Sequence, residues 1–238
     1  MLILSSRATR AAAILLASGW LVSCGETGSS STSSASGGRP ASAPSHPAPG
    51  PPVARPRPRP RPADPGRLPQ TDTRPSASSA RFHEAMRALW RGIQTGSVAP
   101  ARAAFFPLSA YRQVKAISDP AGDYESRLIG NFRLDLMAAH GLLGAGAGQA
   151  RLLRVVVPSD LVHWVPPGAC FNRVGYFEVP NSRVVYSSAA GTRSFGIASL
   201  ISWRGEWYVV HLGSVSGGGG TVDDPESGPG TAAQSSTC

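Results

Sequence analysis

The sequence predicts an α+β domain in which N-terminal helices pack on one face of a curved antiparallel sheet. Two observations predict this class. Apolar residues recur at helical spacing between residues 82 and 143, and short β-branched or alternating runs separated by turn residues follow between residues 151 and 213. Strands that follow one another at hairpin distances pair antiparallel, and the preceding helices then cover one face of the sheet.

A third observation limits the chain to one compact domain. Sixteen of the 17 aromatic residues lie between Phe82 and Tyr208, whereas residues 25–80 hold 13 of the 22 prolines and almost no large apolar side chain. Such a segment cannot bury enough surface to offset the entropy of ordering it. We expect a cleaved leader over 1–23, a disordered tether rich in Ser, Pro and Arg over 24–80, the domain over 81–215 and a disordered tail over 216–238.

The first helix follows from spacing and capping residues. Between Phe82 and Ile93 the apolar residues fall three and four apart, which is typical of an amphipathic helix. Ser78 or Ser79 can cap its start and Gly96 can end it.

Three further helical segments are expected next. Pro100 suits the first position of a helix that ends before Pro107, and residues 108–114 continue at helical spacing. Asp119 with Pro120 predicts the start of another helix, which we expect to bend or break at residues 130–131 and to end in the glycine run 144–148.

From residue 151 onward the pattern indicates strands. They are expected at 151–157, 161–165, 173–179, 184–187, 194–203 and 206–213. The strand at 194–203 alternates, so its two faces differ in side-chain size. The large face carries Phe195, Ile197, Ile201 and Trp203, and the small face carries Gly196, Ala198 and Ser202. We expect the large face to pack on the helices and the small face to permit close approach by another molecule.

The N-terminus predicts the compartment. Arg7 and Arg10 precede a mostly apolar run of 12 residues, which is too short to span a bilayer but is typical of a signal peptide. The run ends in Leu21-Val22-Ser23-Cys24, which resembles a bacterial lipobox. The resemblance implies that Cys24 is lipidated, becomes the mature N-terminus and anchors the chain outside the cytoplasmic membrane. The alternative is a secreted protein in which Cys24 is incidental.

Two further cysteines remain, Cys170 and Cys238. An even number of remaining cysteines in an oxidising compartment makes a disulfide between Cys170 and Cys238 possible. Because Cys238 ends a Gly/Ser-rich tail, a free thiol or an intermolecular bond is an equal alternative.

The charge balance does not indicate a nucleic-acid-binding protein. Residues 81–215 carry 14 basic and 8 acidic side chains, but the arginines are scattered and do not alternate with aromatic residues along one segment. Lys115 is the only lysine of the chain, which indicates a compositional bias toward arginine.

The last two strands carry a resemblance to a known fold family. The block Ser194-Phe195-Gly196-Ile197-Ala198-Ser199-Leu200-Ile201-Ser202-Trp203-Arg204-Gly205-Glu206-Trp207-Tyr208-Val209-Val210-His211-Leu212-Gly213 resembles the final hairpin of NTF2-like, cystatin-superfamily cone folds. Residues 90–106 are similar to the opening helices of that family, and residues 167–186 are similar to small actinobacterial envelope lipoproteins of unknown function. The resemblance implies a fold and a compartment, and it supplies no catalytic residue.

Motifs that carry chemistry are incomplete. His83-Glu84 lacks the second histidine of a helical zinc motif, because Arg87 stands in its place. Cys170 with His163 upstream is a possible nucleophile and base, but the residues usual around a transpeptidase cysteine are missing. We therefore expect no metal and no cofactor.

A pocket between the helices and the sheet is the better functional hypothesis. The polar residues expected to point into it are Tyr111, Asp135, His140, Tyr176, Glu178 and His211. A histidine beside a carboxylate could act as an acid or a base, whereas a lone histidine such as His140 or His211 is more often a hydrogen-bonded core residue.

These features predict a membrane-anchored extracytoplasmic lipoprotein whose domain binds a small molecule or an envelope protein without catalysis. The alternatives are an NTF2-like pocket enzyme that uses acid/base chemistry and a purely structural protein with a filled core.

Overall fold

The computed structural model describes residues 63–213 and 220–222. Cys24, Cys238 and the expected leader lie outside the described residues. As expected from the sequence, the helices come first and the strands follow, so the α+β class is confirmed. The main helices are α1 (Ala80–Thr95), α2 (Val98–Ala101), α3 (Leu108–Val114), α4 (Pro120–Asp123) and α5 (Ile129–Leu143). The strands are β1 (Arg151–Val156), β2 (His163–Val165), β3 (Tyr176–Ser188), β4 (Gly191–Trp203) and β5 (Glu206–His211).

The sheet is built around the long strand β3. Its order is β1-β3-β4-β5, and β2 also pairs with β3. All of these pairings are antiparallel. Residues 176–178 of β3 pair with β2 and residues 183–187 pair with β1, so two short strands share one edge of β3.

Helices and aromatic side chains cover one face of this sheet, which we call the helix-facing side. Tyr186 of β3 contacts Trp90 of α1, with ring centroids 5.4 Å apart. Trp203 of β4 and Tyr208 of β5 both contact Phe106 edge to face. Phe195, Ile197 and Trp203 are fully buried. Along β3, Arg183 and Val185 alternate with Val184 and Tyr186 and therefore point to the opposite face. We call this face the outward side.

α1 forms as its sequence predicts. Ser79 is its N-cap and accepts a hydrogen bond from the backbone N–H of Phe82, and Gly96 ends it in the left-handed conformation at φ 60°. The buried residues recur three and four apart from Phe82 to Ile93. This stripe faces the sheet, and its burial holds the helix in place.

The expected helix at residues 101–106 is wrong. α2 ends at Ala101, and residues 104–106 lie beside the edge strand β5. The N–H of Val209 donates to the carbonyl of Ala104 at 2.9 Å, and the N–H of Phe106 donates to the carbonyl of Val209 at 3.1 Å. The extended backbone thus satisfies peptide groups at the edge of the sheet, which a helix would leave open.

The expected helix break at residues 130–131 is also wrong. α5 runs through Gly130 without interruption, and the irregularity lies earlier, in the π-helical turn Tyr124–Leu128. That turn keeps Tyr124 and Leu128 buried while it joins α4 to α5.

The two strands expected at 173–179 and 184–187 form one continuous strand, β3. Pro180 lies opposite Ser199 and Ser182 lies opposite Ile197, so the register is kept on both sides of Asn181. Asn181 adopts φ 57°, a conformation that Asn tolerates better than most residues.

The folded part of the chain extends N-terminal to residue 81. The indole N–H of Trp203 donates to the carbonyl of Pro65 at 3.1 Å, and the amide of Gln70 donates to the carbonyl of Ser202 at 3.1 Å. These bonds fix residues 65–70 against the end of the sheet. None of the helices within the described residues is both long enough and apolar enough to cross a membrane.

Candidate functional site

A cavity of about 610 Å³ opens on the outward side of the sheet. Its size falls in the range of small-molecule sites. It lies over β1, β3 and β4 and over the turn between β3 and β4. The lining residues are Arg154, Val156, Pro158, Asn181, Arg183, Val185, Ala190, Thr192, Arg193 and Ser194.

Strand register places these residues together. Val156 lies opposite Arg183, Arg154 lies opposite Val185, and Val185 lies opposite Ser194. Directly paired residues share a face, so side chains from three strands project from the outward side at neighbouring positions. Gly196 of the small-residue face lies opposite Arg183 and leaves room beside its side chain.

Two arginines project from the outward side at the cavity, Arg154 from β1 and Arg183 from β3. Arg193 of β4 also borders the cavity, but it lies opposite Tyr186, which belongs to the helix-facing side. Arg183 is 5 % exposed, and its Nε donates to Ser194 Oγ at 3.0 Å, which orients the guanidinium. No carboxylate occurs among the described lining residues. A guanidinium presents several N–H donors in a plane, so this lining suits an anionic group.

The lining also has an aliphatic part, formed by Val156, Pro158, Val185 and Ala190. Val156 is 42 % exposed although it is an aliphatic residue on a strand. Apolar surface beside fixed polar groups is typical of ligand sites, because the apolar part contributes affinity and the polar part orients the ligand.

The predicted pocket residues lie elsewhere. Tyr176 and Glu178 are on β3, at positions opposite β2 and β4 and away from the cavity. Ser199 Oγ donates to Glu178 Oε1 at 2.9 Å, and Asn172 Nδ2 donates to the Tyr176 hydroxyl at 3.2 Å. Burial raises the pKa of Tyr176 to about 12. Both side chains are therefore held by neighbours in the protein.

Tyr111 belongs to a cluster of charges on the helices. Its hydroxyl donates to Asp123, and Arg127 donates to the same hydroxyl at 2.9 Å and to Asp123 at 2.7 Å. Hydrogen bonds from Arg127 lower the pKa of Asp123, and burial raises the pKa of Tyr111. This arrangement ties α3 to α4 and to the turn that follows it.

Lys115 lies near Asp123 and Glu178, and its Nζ donates to the carbonyl of Cys170 at 2.9 Å. Burial and the charge of Arg127 lower its pKa, whereas the carboxylates of Asp123 and Glu178 act in the opposite direction. Asp123 and Glu178 thus both act on Lys115, and the cavity described above is formed by other residues.

His211 is a buried, neutral residue at the end of β5. It lies opposite Ser199 and is 6 % exposed. Burial lowers the pKa of its imidazole to about 4, and the charge of Arg127 acts in the same direction. His211 is therefore uncharged at neutral pH.

Asp135 and His140 do not join the other predicted residues. Both lie on α5, where Asp135 accepts bonds from the backbone N–H groups of Leu212, Gly213, Gly220 and Thr221. His140 Nδ1 lies 3.0 Å from the carbonyl of Ile93, and its ring packs against Gly96. These contacts fix chain segments and show no opening to a ligand.

The arginine-lined cavity does not follow from the sequence, where the scattering of the arginines argues only against nucleic-acid binding. Arg154 of β1 and Arg183 of β3 are separated in sequence by β2 but lie on paired strands in space. The alternation of residues 183–186 predicts that Arg183 and Val185 share one face of a strand, opposite to Val184 and Tyr186. The pairing of β1 with β3 is the additional information that brings the arginines together.

Cys170 is disulfide-bonded, and its partner lies outside the described residues. The pairing with Cys238 therefore stays a prediction. Within residues 63–213 and 220–222, no group of three or more His, Cys, Asp or Glu side chains could hold a metal ion.

Comparison of the chain with protein-family models, with curated proteins and with solved structures found no match.

Proposed function

We propose that this chain is a lipid-anchored extracytoplasmic protein whose α+β domain binds a small ligand without catalysing a reaction. The observation that carries the proposal is the cavity of about 610 Å³ on the outward side, with aliphatic and arginine side chains in one lining. Five of the six titratable groups first expected to form a site are hydrogen-bonded to neighbouring protein groups, and the sixth, His211, is buried and uncharged at neutral pH. This supports binding over acid/base catalysis.

The proposed fold family is the NTF2-like cone. Supporting features are the order of helices before strands, the long central β3 and the closing hairpin of β4 and β5. An experimental structure of the full chain would test this assignment, because it would show whether β1 and β2 pair with the same edge of β3.

Anchoring is tested by changing Cys24 to Ala in the full chain. The proposal rests on the predicted signal peptide and on Cys24 at the end of the lipobox-like segment. We expect the variant to leave the membrane fraction, whereas Cys238→Ala stays in it, because Cys238 is not preceded by such a segment. Membrane association of Cys24→Ala at the level of the unchanged chain would contradict anchoring.

Ligand binding is tested by native mass spectrometry of the full chain purified from the envelope of the producing cell. We expect extra mass that the folded chain retains and the unfolded chain loses. A bare protein mass would contradict the small-ligand proposal and would favour an envelope protein as the partner.

A second candidate is an acid/base enzyme that uses Glu178. His163 Nε2 lies 3.9 Å from Glu178 Oε2, and the His163 side chain is 43 % exposed, so this pair is reachable from solvent. The matched test is Glu178→Gln, which keeps the size of the side chain. Loss of an activity with unchanged unfolding free energy would favour the enzyme, and loss of both would make Glu178 structural.

A further inference from the structure

We propose that residues 166–175, which we call the Phe171 loop, rest on the phospholipid bilayer and insert the ring of Phe171 among its headgroups. The proposal rests on the anchoring part of the proposed function and adds which side of the domain faces the membrane. It follows from the exposure of Phe171, from the bonds that hold the loop and from the place where the N-terminal segment joins the domain.

The loop exposes aromatic surface. Phe171 is 75 % exposed, the largest value among the exposed large apolar side chains of the described residues. Pro166 and Pro167 of the same loop are exposed too, and Trp164, which precedes the loop, packs on Gly175 and stays in contact with solvent. Aromatic side chains left in water gain free energy when they enter the interface of a bilayer.

The loop is held so that Phe171 stays outside. The N–H of Ala116 donates to the carbonyl of Phe171 at 2.7 Å, and the N–H of Arg173 donates to the carbonyl of Val114 at 2.7 Å. Cys170 and Phe171 adopt φ 55° and 58°, a conformation that costs free energy in residues other than glycine. A strained backbone held by bonds on both sides is typical of functional segments.

The N-terminal segment joins the domain beside the same loop. Ser109 Oγ donates to Asp64 Oδ1 at 2.8 Å, and Gln113 Nε2 donates to the carbonyl of Gly66, so the first described residues lie along α3. α3 has seven residues and is about 10 Å long. Its C-terminal end is bonded to the Phe171 loop, so a chain anchored at Cys24 is attached to the membrane on the side that carries Phe171.

Charge around the loop suits anionic phospholipids. The loop and the segment 107–118, to which it is bonded, contain no carboxylate, and their charged residues are Arg112, Lys115 and Arg173. The carboxylates that act on Lys115 are those of Asp123 and Glu178, and both are bonded to side chains of the same chain. Basic side chains beside an inserted aromatic ring attract anionic headgroups.

One aromatic ring does not hold a protein on a bilayer by itself. Stable attachment needs two signals, and here the lipid on Cys24 holds the chain while the Phe171 loop orients the domain. The Cys24→Ala variant therefore still leaves the membrane fraction.

The test places a tryptophan in the loop and another at a matched exposed position. Phe171→Trp keeps an aromatic ring in the loop, and Leu153→Trp puts the same ring on β1, which pairs with residues 183–187 at the other end of β3. The lipidated full chain is reconstituted in vesicles of brominated phosphatidylcholine with about one quarter phosphatidylglycerol, because bromine on the acyl chains quenches a tryptophan that reaches them.

The emission added by each new tryptophan is measured against the unchanged chain. We expect that of Phe171→Trp to fall at least about twofold relative to vesicles without bromine, and that of Leu153→Trp to change by less than about 10 %.

A second reporter tests the native side chain. Ala116→Trp reports from an exposed position beside the loop while Phe171 is in place. We expect this reporter to be quenched, and Phe171→Asn to reduce the quenching about twofold, because Asn accepts φ 58° but carries no apolar ring. Leu153→Asn in the same reporter chain is the control and should leave the quenching unchanged.

The charge is tested in the Phe171→Trp chain. Arg173→Gln should lower the quenching about twofold and remove its dependence on phosphatidylglycerol. Arg151→Gln is the matched control, because Arg151 is an exposed arginine on β1, and it should change neither property.

Flotation with the vesicles separates failure of the proposal from failure of the anchor. A chain that floats while Phe171→Trp is unquenched, or quenched no more than Leu153→Trp, would overturn the proposal and leave the anchor intact. Quenching of Ala116→Trp that Phe171→Asn does not reduce would also overturn it. Emission of Phe171→Trp that shifts to the blue in native envelope membranes but not in vesicles would assign the loop to a protein partner instead. A chain that does not float would contradict the anchor and the proposal together.

Discussion

The two sides of the sheet use charge in opposite ways. On the helix-facing side and in the helices, carboxylates and hydroxyls bond to groups of the same chain, as Asp123 does with Arg127 and as Asp135 does with the backbone after β5. On the outward side, Arg154, Arg183 and aliphatic side chains line a cavity whose described lining contains no carboxylate. Charged groups on the first side hold segments together, whereas the second side carries the cavity of the proposed ligand site.

This difference separates structural from functional residues. A buried polar group with all its partners in the protein contributes to folding, and its removal leaves those partners unsatisfied. An arginine at the rim of a cavity can be removed at little cost to folding. Stability and binding measurements on matched variants should therefore give opposite results for the two sides, and the following predictions are ordered by the size of the expected change.

The largest change is expected for Asp135→Ala. The substitution removes the acceptor of four backbone N–H groups, those of Leu212, Gly213, Gly220 and Thr221. We expect the free energy of unfolding to fall by about 3 kcal/mol, since the buried N–H groups of Leu212 and Gly213 lose their acceptor. Urea denaturation measures the change. Arg133→Ala, an exposed neighbour on α5, is the control, and a loss below about 1 kcal/mol for Asp135→Ala would contradict the structural account.

Acid is expected to destabilise the domain through His211. Its pKa is lowered from 6.5 to about 4 in the folded state, because burial disfavours the charged imidazole. Between about pH 6.5 and about pH 4 the unfolded state binds the proton and the folded state does not, so stability falls as the pH falls. The loss from this group is on the order of 3 kcal/mol over that range.

Comparison of the unchanged chain with His211→Gln isolates this contribution. Urea denaturation at several pH values should give a shallower pH dependence for the variant below about pH 6.5. Equal slopes would show that His211 is reached by solvent or is charged in the folded protein.

A smaller loss is expected for Tyr111→Phe. The variant removes the hydroxyl that bonds to Asp123 and Arg127, while those two side chains keep their own bonds at 2.7 and 2.8 Å. We expect about 1.5 kcal/mol of destabilisation by urea denaturation, the usual value for a partly buried hydrogen bond to a charged group. Unchanged stability would mean that the cluster does not tie α3 to the segment after it.

The smallest change in stability is expected for Arg154→Gln. Arg154 is exposed on the edge strand β1, so its replacement should alter the free energy of unfolding by less than about 0.5 kcal/mol. Because Arg154 lines the cavity, the same variant should retain less of the bound small molecule in native mass spectrometry. A stability loss as large as that of Tyr111→Phe would place Arg154 among the structural residues and would remove the contrast between the two sides.

Much of the fold could be predicted from local sequence. α1 depends on apolar spacing, on Ser79 and on Gly96, all of which act within a few residues of one another. The errors occur where distant partners decide the conformation. Residues 104–106 become extended because β5 has an open edge, and Asn181 stays within β3 because β4 holds the register on both sides.

The candidate site could be predicted only in part for the same reason. Asp135 and His140 were expected in a pocket because polar residues on an apolar helix suggest one, but their partners are backbone groups at β5 and at the end of α1. Arg154 and Arg183 become neighbours through the pairing of β1 with β3, which the spacing of arginines in the sequence does not contain.

The most direct test is native mass spectrometry of the full chain from the producing cell's envelope, compared with the variant Arg154→Gln. The account predicts that the folded unchanged chain retains a small molecule, and that the variant, with unfolding free energy within about 1 kcal/mol, retains much less of it. Equal retention by both proteins, or a bare mass for the unchanged chain, would contradict a ligand site on the outward side.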